Sequence, residues 1–465
     1  MKRTQLWKLI CALDKKDLRE LRKFVCSPFF NQREDVIALF DTLMKYLKDH
    51  NAEASKETAF AIVYPGEKYD AGKLHLISSI LNGLCEEYLI WKERSSDVVN
   101  DQLILSQAYR KLKLEKPFLS TIKEAQLLHE KQPLRNAEYH AKKYEILLEE
   151  FEYLIQNKRL EEFNLQEILN HLDKSFVSRL LRLECAILSH QAVAKKTYES
   201  GVFDINHISE KLQAPAVTIY NYGYHALRDN DEAAFEAFMG HLKDEVLFFP
   251  LSEQKDIFLM AINFCIRKFN AGNEKYASIL FEVYKEGLEK KVLIENNNIS
   301  QFTFSNIVRT AAYIKEWDWA EDFVHQFAGL LEKQYQESLF NFSLGRINYE
   351  RKNYDNALTY LSKAEEKNDV LISLNSKALR TKVYFELTEI NLLISHLSAF
   401  KIYLNRHKEI GYHKNLYDNF IKFTNRLVNI NINKSTYLEK LKQEIEGEKE
   451  LMERKWLLEQ IEHLK

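Results

Sequence analysis

Pro250 is the last of six prolines in a chain of 465 residues, so the final 215 residues contain none, and only 12 glycines punctuate the whole length. Proline removes a backbone donor and clashes inside a helix, while glycine costs a helix interior about 1 kcal/mol relative to alanine. A chain this poor in breakers, and rich in Leu, Glu and Lys, has few places to turn and many residues that favour helix. It predicts an all-α protein. Hydrophobic residues make up 46% of the sequence, enough for a continuous core.

Within that helical background, residues 338–371 (SLFNFSLGRINYERKNYDNALTYLSKAEEKNDVL) place small and large apolar residues in a two-helix register. Leu344 and Gly345 fall in a first helix, Ala357, Leu361 and Ala364 in a second, and Lys352-Asn353 between them reads as the turn. Gly345 and Ala357 are expected where the two axes cross, because a larger side chain there would push helices beyond the usual ~8–10 Å. Small or apolar residues recur at the start of each second helix: Ala234, Ala277, Ala320, Ala357 and Leu393, at intervals of 43, 43, 37 and 36. In the Ala277 unit Cys265 takes the small first-helix position, and Trp317, Phe323 and Phe327 are expected to pack the Ala320 unit.

The L-G, Y-D-N-A and A spacing of 338–371 resembles the tetratricopeptide repeat, departing from it with Asn341 for the usual Trp and Asp369 for the usual Pro. SPFFN (27–31) and EWDWAEDF (316–323) are similar to stretches of uncharacterised bacterial repeat proteins. The resemblance covers roughly 215–405 and implies an irregular TPR-like α-solenoid of antiparallel helix pairs. With it go an N-terminal helical cap over 1–95, helical hairpins over 96–200, repeats over 201–415 and capping helices over 416–465. A hinge is expected in TYESGVFD (197–204) and a long polar C-terminal helix from about 436, with Thr436 and Glu439 as its capping box.

In the cap, Asp14 is expected to start a helix over 15–26 that Ser27-Pro28 ends, after which Phe29 and Phe30 dock inward. Val36, Phe40, Leu43 and Leu47 make one apolar stripe, and Leu74, Ile77, Ile80, Leu81, Leu84 and Tyr88 make its partner. Residues 66–74 (GEKYDAGKL), preceded by a possible short strand in AFAIVY, miss the P-loop spacing: five residues separate the glycines and Leu74 stands in place of Ser or Thr.

A net charge of -2 gives no global attraction to nucleic acid or anionic membrane. Locally, residues 1–24 hold eight basic side chains against three acidic ones, a balance of +5. The longest strongly apolar run, 257–266, is half a membrane span, and Lys8 and Asp14 interrupt any signal peptide. Five scattered cysteines without a C-x-x-C pair read as buried thiols in a reducing, cytoplasmic setting. His129-Glu130 lacks a second histidine, and no nucleophile or phosphate-loop motif occurs, so neither enzyme activity, cofactor nor metal is expected.

The expected function is a non-enzymatic protein–protein interaction scaffold that holds an extended or acidic peptide of a partner in a concave groove. Stepping back eleven residues from Ala320, Ala357 and Leu393 reaches Arg309, Arg346 and Lys382, a basic ladder on three consecutive first helices. Tyr313, Tyr349 and Glu350 are expected on the same face. The alternative is a DNA-binding transcriptional regulator whose repeats sense a peptide and whose basic residues at 1–24 meet phosphates.

Overall fold

A computed structural model of the protein describes residues 4–48, 55–157, 163–193, 196–199, 212–365, 369–407, 413–429 and 434–464. Among them are twenty-two α-helices and a single β-hairpin, Ile294–Glu295 with Asn298–Ile299, closed by Asn296 and Asn297 at φ 49° and 61°. The described residues are all-α but for that loop. No helix among the described residues is long and apolar enough to cross a membrane. Two compact units form, residues 1–133 with 138–175, and residues 134–137 with 176–465. The division falls inside a helix, Leu165–Val193; of the hinge expected at 197–204, residues 200–204 lie outside the described part.

The first unit holds α1 (Gln5–Ala12), α2 (Lys15–Val25), α3 (Glu34–Lys48), α4 (Lys56–Val63), α5 (Ala71–Ser95), α6 (Val98–Lys111), α7 (Glu115–Glu130), most of α8 (Ala137–Asn157) and the start of α9 (Leu165–Val193). Helix starts follow side-chain capping: the Asp14 carboxylate accepts from the Lys16 and Asp17 amides at 2.7 Å, and Ser55, Asp70 and Asp97 do the same for α4, α5 and α6. The stripes of α3 and α5 meet as expected, with Val36, Phe40, Leu43, Ile77 and Leu81 fully buried. AFAIVY is helix rather than strand, since Ser55 caps it and Ala59 and Phe60 bury against α3 and α5. The SPFFN turn also differs from expectation. Phe29 is 87% exposed, because the turn is held by Asn31, whose amide donates to the Val25 and Arg33 carbonyls, while only Phe30 stacks, on Phe24 at 3.9 Å.

The second unit continues from α9 through five hairpins of consecutive helices. These are α10 (Pro215–Asp229) with α11 (Glu232–Glu245), α12 (Leu251–Asn270) with α13 (Lys275–Glu289), α14 (Gln301–Tyr313) with α15 (Trp317–Phe327), α16 (Gln336–Glu350) with α17 (Tyr354–Glu365), and α18 (Val370–Glu386) with α19 (Ile390–Arg406). Ala234, Ala277, Ala320, Ala357 and Leu393 are all buried near the start of a second helix. Each hairpin turns through one left-handed residue: Asn230, Gly272, Lys315, Lys352 and Thr388 have φ of 56°, 95°, 68°, 61° and 58°. In the last four, the next residue donates its N–H to the carbonyl five back, as Asn353 does to Asn348 at 2.8 Å, closing the first helix with a Schellman turn. Only one of the five is glycine, so four of the turns are invisible to a search for glycine breaks.

At the crossing of α16 and α17, the space a Cβ on Gly345 would take is filled by Leu361. Two further expectations are corrected. Cys85, Cys185 and Cys265 are buried, and burial raises the pKa of each thiol, but Cys11 is exposed and Cys26 half-buried. The long C-terminal helix is two helices. After α20 (His413–Val428), α21 (Lys434–Gly447) stops at a break over 448–453, and α22 (Arg454–Leu464) follows. The break lets Leu438, Leu441, Ile445, Leu451, Trp456, Leu457 and Ile461 all bury with α19 and α20, which one straight helix with a fading apolar stripe cannot do. The Arg454 guanidinium secures the turn by donating to the Glu446 and Glu448 carbonyls. The side chain of Thr436 lies outside the described residues.

Candidate peptide-binding groove

Arg309 on α14 and Arg346 on α16 face one groove of about 1010 Å³, whose apolar walls include Phe302, Phe342 and Leu371. Helical spacing accounts for this face: Phe302 and Arg309 are seven residues apart, Phe342 and Arg346 four, so each pair shares a side of its helix. Neither guanidinium forms an ion pair among the described residues. Arg346 lies over the Phe342 ring at 5.4 Å. Solvent reaches Arg309, yet protein walls surround it, and that enclosure together with the neighbouring Arg346 lowers its pKa. The pair therefore presents two cations to the groove, Arg309 exposed and Arg346 half-buried.

Lys382, the third member of the ladder, is buried instead of lining open groove. Its ammonium sits 4.7 Å from the Tyr349 ring centroid and donates to the Glu453 carboxylate at 2.8 Å. Glu453 stands at the break between α21 and α22 with φ 54°, and it is one of the residues that line the groove. Enclosure pushes its carboxyl upward, but Lys382, Arg346 and Arg309 outweigh that effect and leave its pKa below the usual range. Glu350 is nearby, and burial raises its pKa against the opposing pull of Arg346 and Lys382.

Tyr349 is buried, and its hydroxyl donates to Glu386, which also accepts from Tyr354 at 2.6 Å and from the Trp456 indole at 2.8 Å. A ring in that position cannot stack on a ligand; it braces α16 against α18 and α22. Tyr313 lines a different cleft of about 810 Å³ beside α22, where Lys455 reaches Glu274 at 2.7 Å and lies over the Tyr313 ring. The ladder thus splits: Arg309 and Arg346 stay together in the groove, Lys382 and Tyr349 become its packed end, and Tyr313 is elsewhere. Sequence reasoning missed Glu453 as the partner of Lys382 and Trp456 as a partner of Glu386, because those pairs are 71 and 70 residues apart, and only the apolar run Leu451, Trp456, Leu457 hinted that the tail packs.

Elsewhere, Trp317 and Trp319 are half-buried: Trp317 donates to the Ala312 carbonyl, and Trp319 stacks on Phe323 with its edge on Phe281 while lining a small cleft of about 380 Å³. In the first unit, Arg22 pairs bidentately with Asp41 and Lys23 with Glu20, so part of the basic excess at 1–24 is neutralised within the fold. His140 and His171, 31 residues apart, meet at 3.1 Å, although no group of three metal-binding side chains occurs among the described residues. The chain matches no protein-family model and no curated protein.

Proposed function

We propose that the protein is a non-enzymatic interaction scaffold of tetratricopeptide-like architecture that binds an acidic, extended segment of a partner protein in the groove between α14, α16 and the start of α18. The observation that carries this reading is the pair Arg309 and Arg346, two guanidiniums without ion-pair partners among the described residues, facing a groove with apolar walls. Guanidinium groups bind carboxylates through paired, charge-assisted hydrogen bonds, and the loss of solvation inside the groove strengthens that preference. Apolar side chains of the bound segment would rest on Phe302, Phe342 and Leu371. The reduced, buried Cys85, Cys185 and Cys265 fit a cytoplasmic setting.

Fluorescence anisotropy with a labelled Glu-rich decapeptide, and a Lys-rich decapeptide as control, tests the reading. The Glu-rich peptide binds the protein and loses at least tenfold in affinity with Arg309→Glu/Arg346→Glu. Lys382 is left unchanged, because a carboxylate there would be buried against Glu453 and unfold the region rather than report on binding. Equal affinity before and after the double reversal would remove this groove as the binding site.

A further inference from the structure

The basic groove already holds a carboxylate, and it comes from the chain itself. Leu451 is buried, Met452 and Glu453 line the groove, and the Glu453 carboxylate is bound by Lys382 on α18, within the field of Arg346 and Arg309. To deliver it, the last helix breaks and a non-glycine residue adopts φ 54°. The segment is held from behind by Trp456 on Glu386 and by Lys455 on Glu274. Only one end of the groove is filled this way. The Arg309 and Arg346 guanidiniums remain without ion-pair partners among the described residues, so a carboxylate docking on them meets the like charge of Glu453 at the groove's packed end.

We infer that Leu451-Met452-Glu453 is a ligand held in cis, which occupies one end of the groove and which an acidic partner segment of similar pattern, two apolar residues followed by a carboxylate, displaces when it binds. The inference rests on the groove being a peptide site, and it adds that the C-terminal segment sets the affinity of that site. A partner carboxylate takes over the Lys382 contact, its apolar residues replace Leu451 and Met452, and the turn over 448–453 swings away with the start of α22.

The test uses the full chain and a fluorescein-labelled acidic decapeptide containing Leu-Met-Glu. Glu453→Gln removes the competing charge while keeping the side-chain shape, and it binds the peptide at least fivefold more tightly than the unaltered protein. Trp456→Phe, which removes the hydrogen bond to Glu386 from the tail, tightens binding in the same direction. Saturating peptide also speeds amide hydrogen exchange over 454–464. Circular dichroism establishes that each variant is folded, and either variant alone suffices if the other is not. Should both bind within twofold of the unaltered protein while Arg309→Glu/Arg346→Glu abolishes binding, the cis ligand is overturned and the groove survives. Should binding be absent throughout, or indifferent to the double reversal, the groove reading itself falls and the cis ligand with it.

Discussion

Gly345 lies directly against Leu361. A Cβ on Gly345 would stand 2.8 Å from the Leu361 Cγ and Cδ2 and 3.3 Å from its backbone nitrogen, with both residues buried at the contact of α16 and α17. Leu361 has no room to withdraw, because it is itself fully buried. Gly345→Ala is therefore expected to cost about 1–3 kcal/mol by overpacking, and Gly345→Leu at least as much. Gly83 on α5 is the control: a Cβ there meets nothing within 4 Å, so Gly83→Ala gains up to about 1 kcal/mol of helix propensity. Urea unfolding of the three variants checks both signs, and an unmoved midpoint for Gly345→Ala refutes the contact.

The left-handed hairpin residues offer a stabilising change. Thr388, β-branched at φ 58°, and Lys352 at φ 61° occupy a conformation that disfavours every side chain with a Cβ. Replacing either with glycine relieves that strain but loosens the unfolded chain, for an expected net gain of about 0.5–1 kcal/mol, larger at Thr388. A lower thermal midpoint for Thr388→Gly would show that its side chain stabilises the turn.

His396 gives a pH signature. Burial lowers its pKa to about 4 from an ordinary 6.5, opposed by the hydrogen bond to the Lys377 carbonyl. The unfolded chain then binds a proton at pH values where the folded one does not. Stability from this group is complete above about 6.5 and falls as pH drops toward 4, by at most about 3 kcal/mol. Replacing His396 with Gln should flatten stability between those pH values; an unchanged slope would assign the effect to other groups.

In the first unit, the Arg110 guanidinium holds the buried Glu149 carboxylate with bonds of 2.6 and 3.0 Å. Arg110→Ala strands that charge and should cost about 3 kcal/mol, whereas Arg110→Met/Glu149→Leu, which removes both charges, should come within about 1 kcal/mol of the unaltered protein. Equal losses for the single and the double variant would contradict the pairing.

The partly neutralised basic segment at 1–24 and the overall charge of -2 lead to one more expectation: no sequence-selective DNA binding at physiological salt. A nanomolar, sequence-dependent mobility shift at that salt would promote the regulator reading over the scaffold.

The local chain determined the helices, their caps and the hairpin register. Asp14 and Ser300 cap because their own side chains reach amides two or three residues on, and Ala320, Ala357 and Leu393 bury because helix pairs joined by short turns cross near their start. Such interactions span a few residues, and periodicity carries them. Arg309 and Arg346 were legible for the same reason, being placed by one repeat register. The fates of Lys382 and Tyr349 were not, since Glu453, 71 residues beyond Lys382, arrives from the break between α21 and α22 and converts an expected groove position into a buried pair. Nor did the polar run after 436 announce its break: α21 alone satisfies its hydrogen bonds whether or not α22 continues it. Only the burial of Leu451, Trp456 and Ile461 with α19 and α20 makes the folded-back arrangement lower in free energy, because the hydrophobic gain exists only once those helices are side by side.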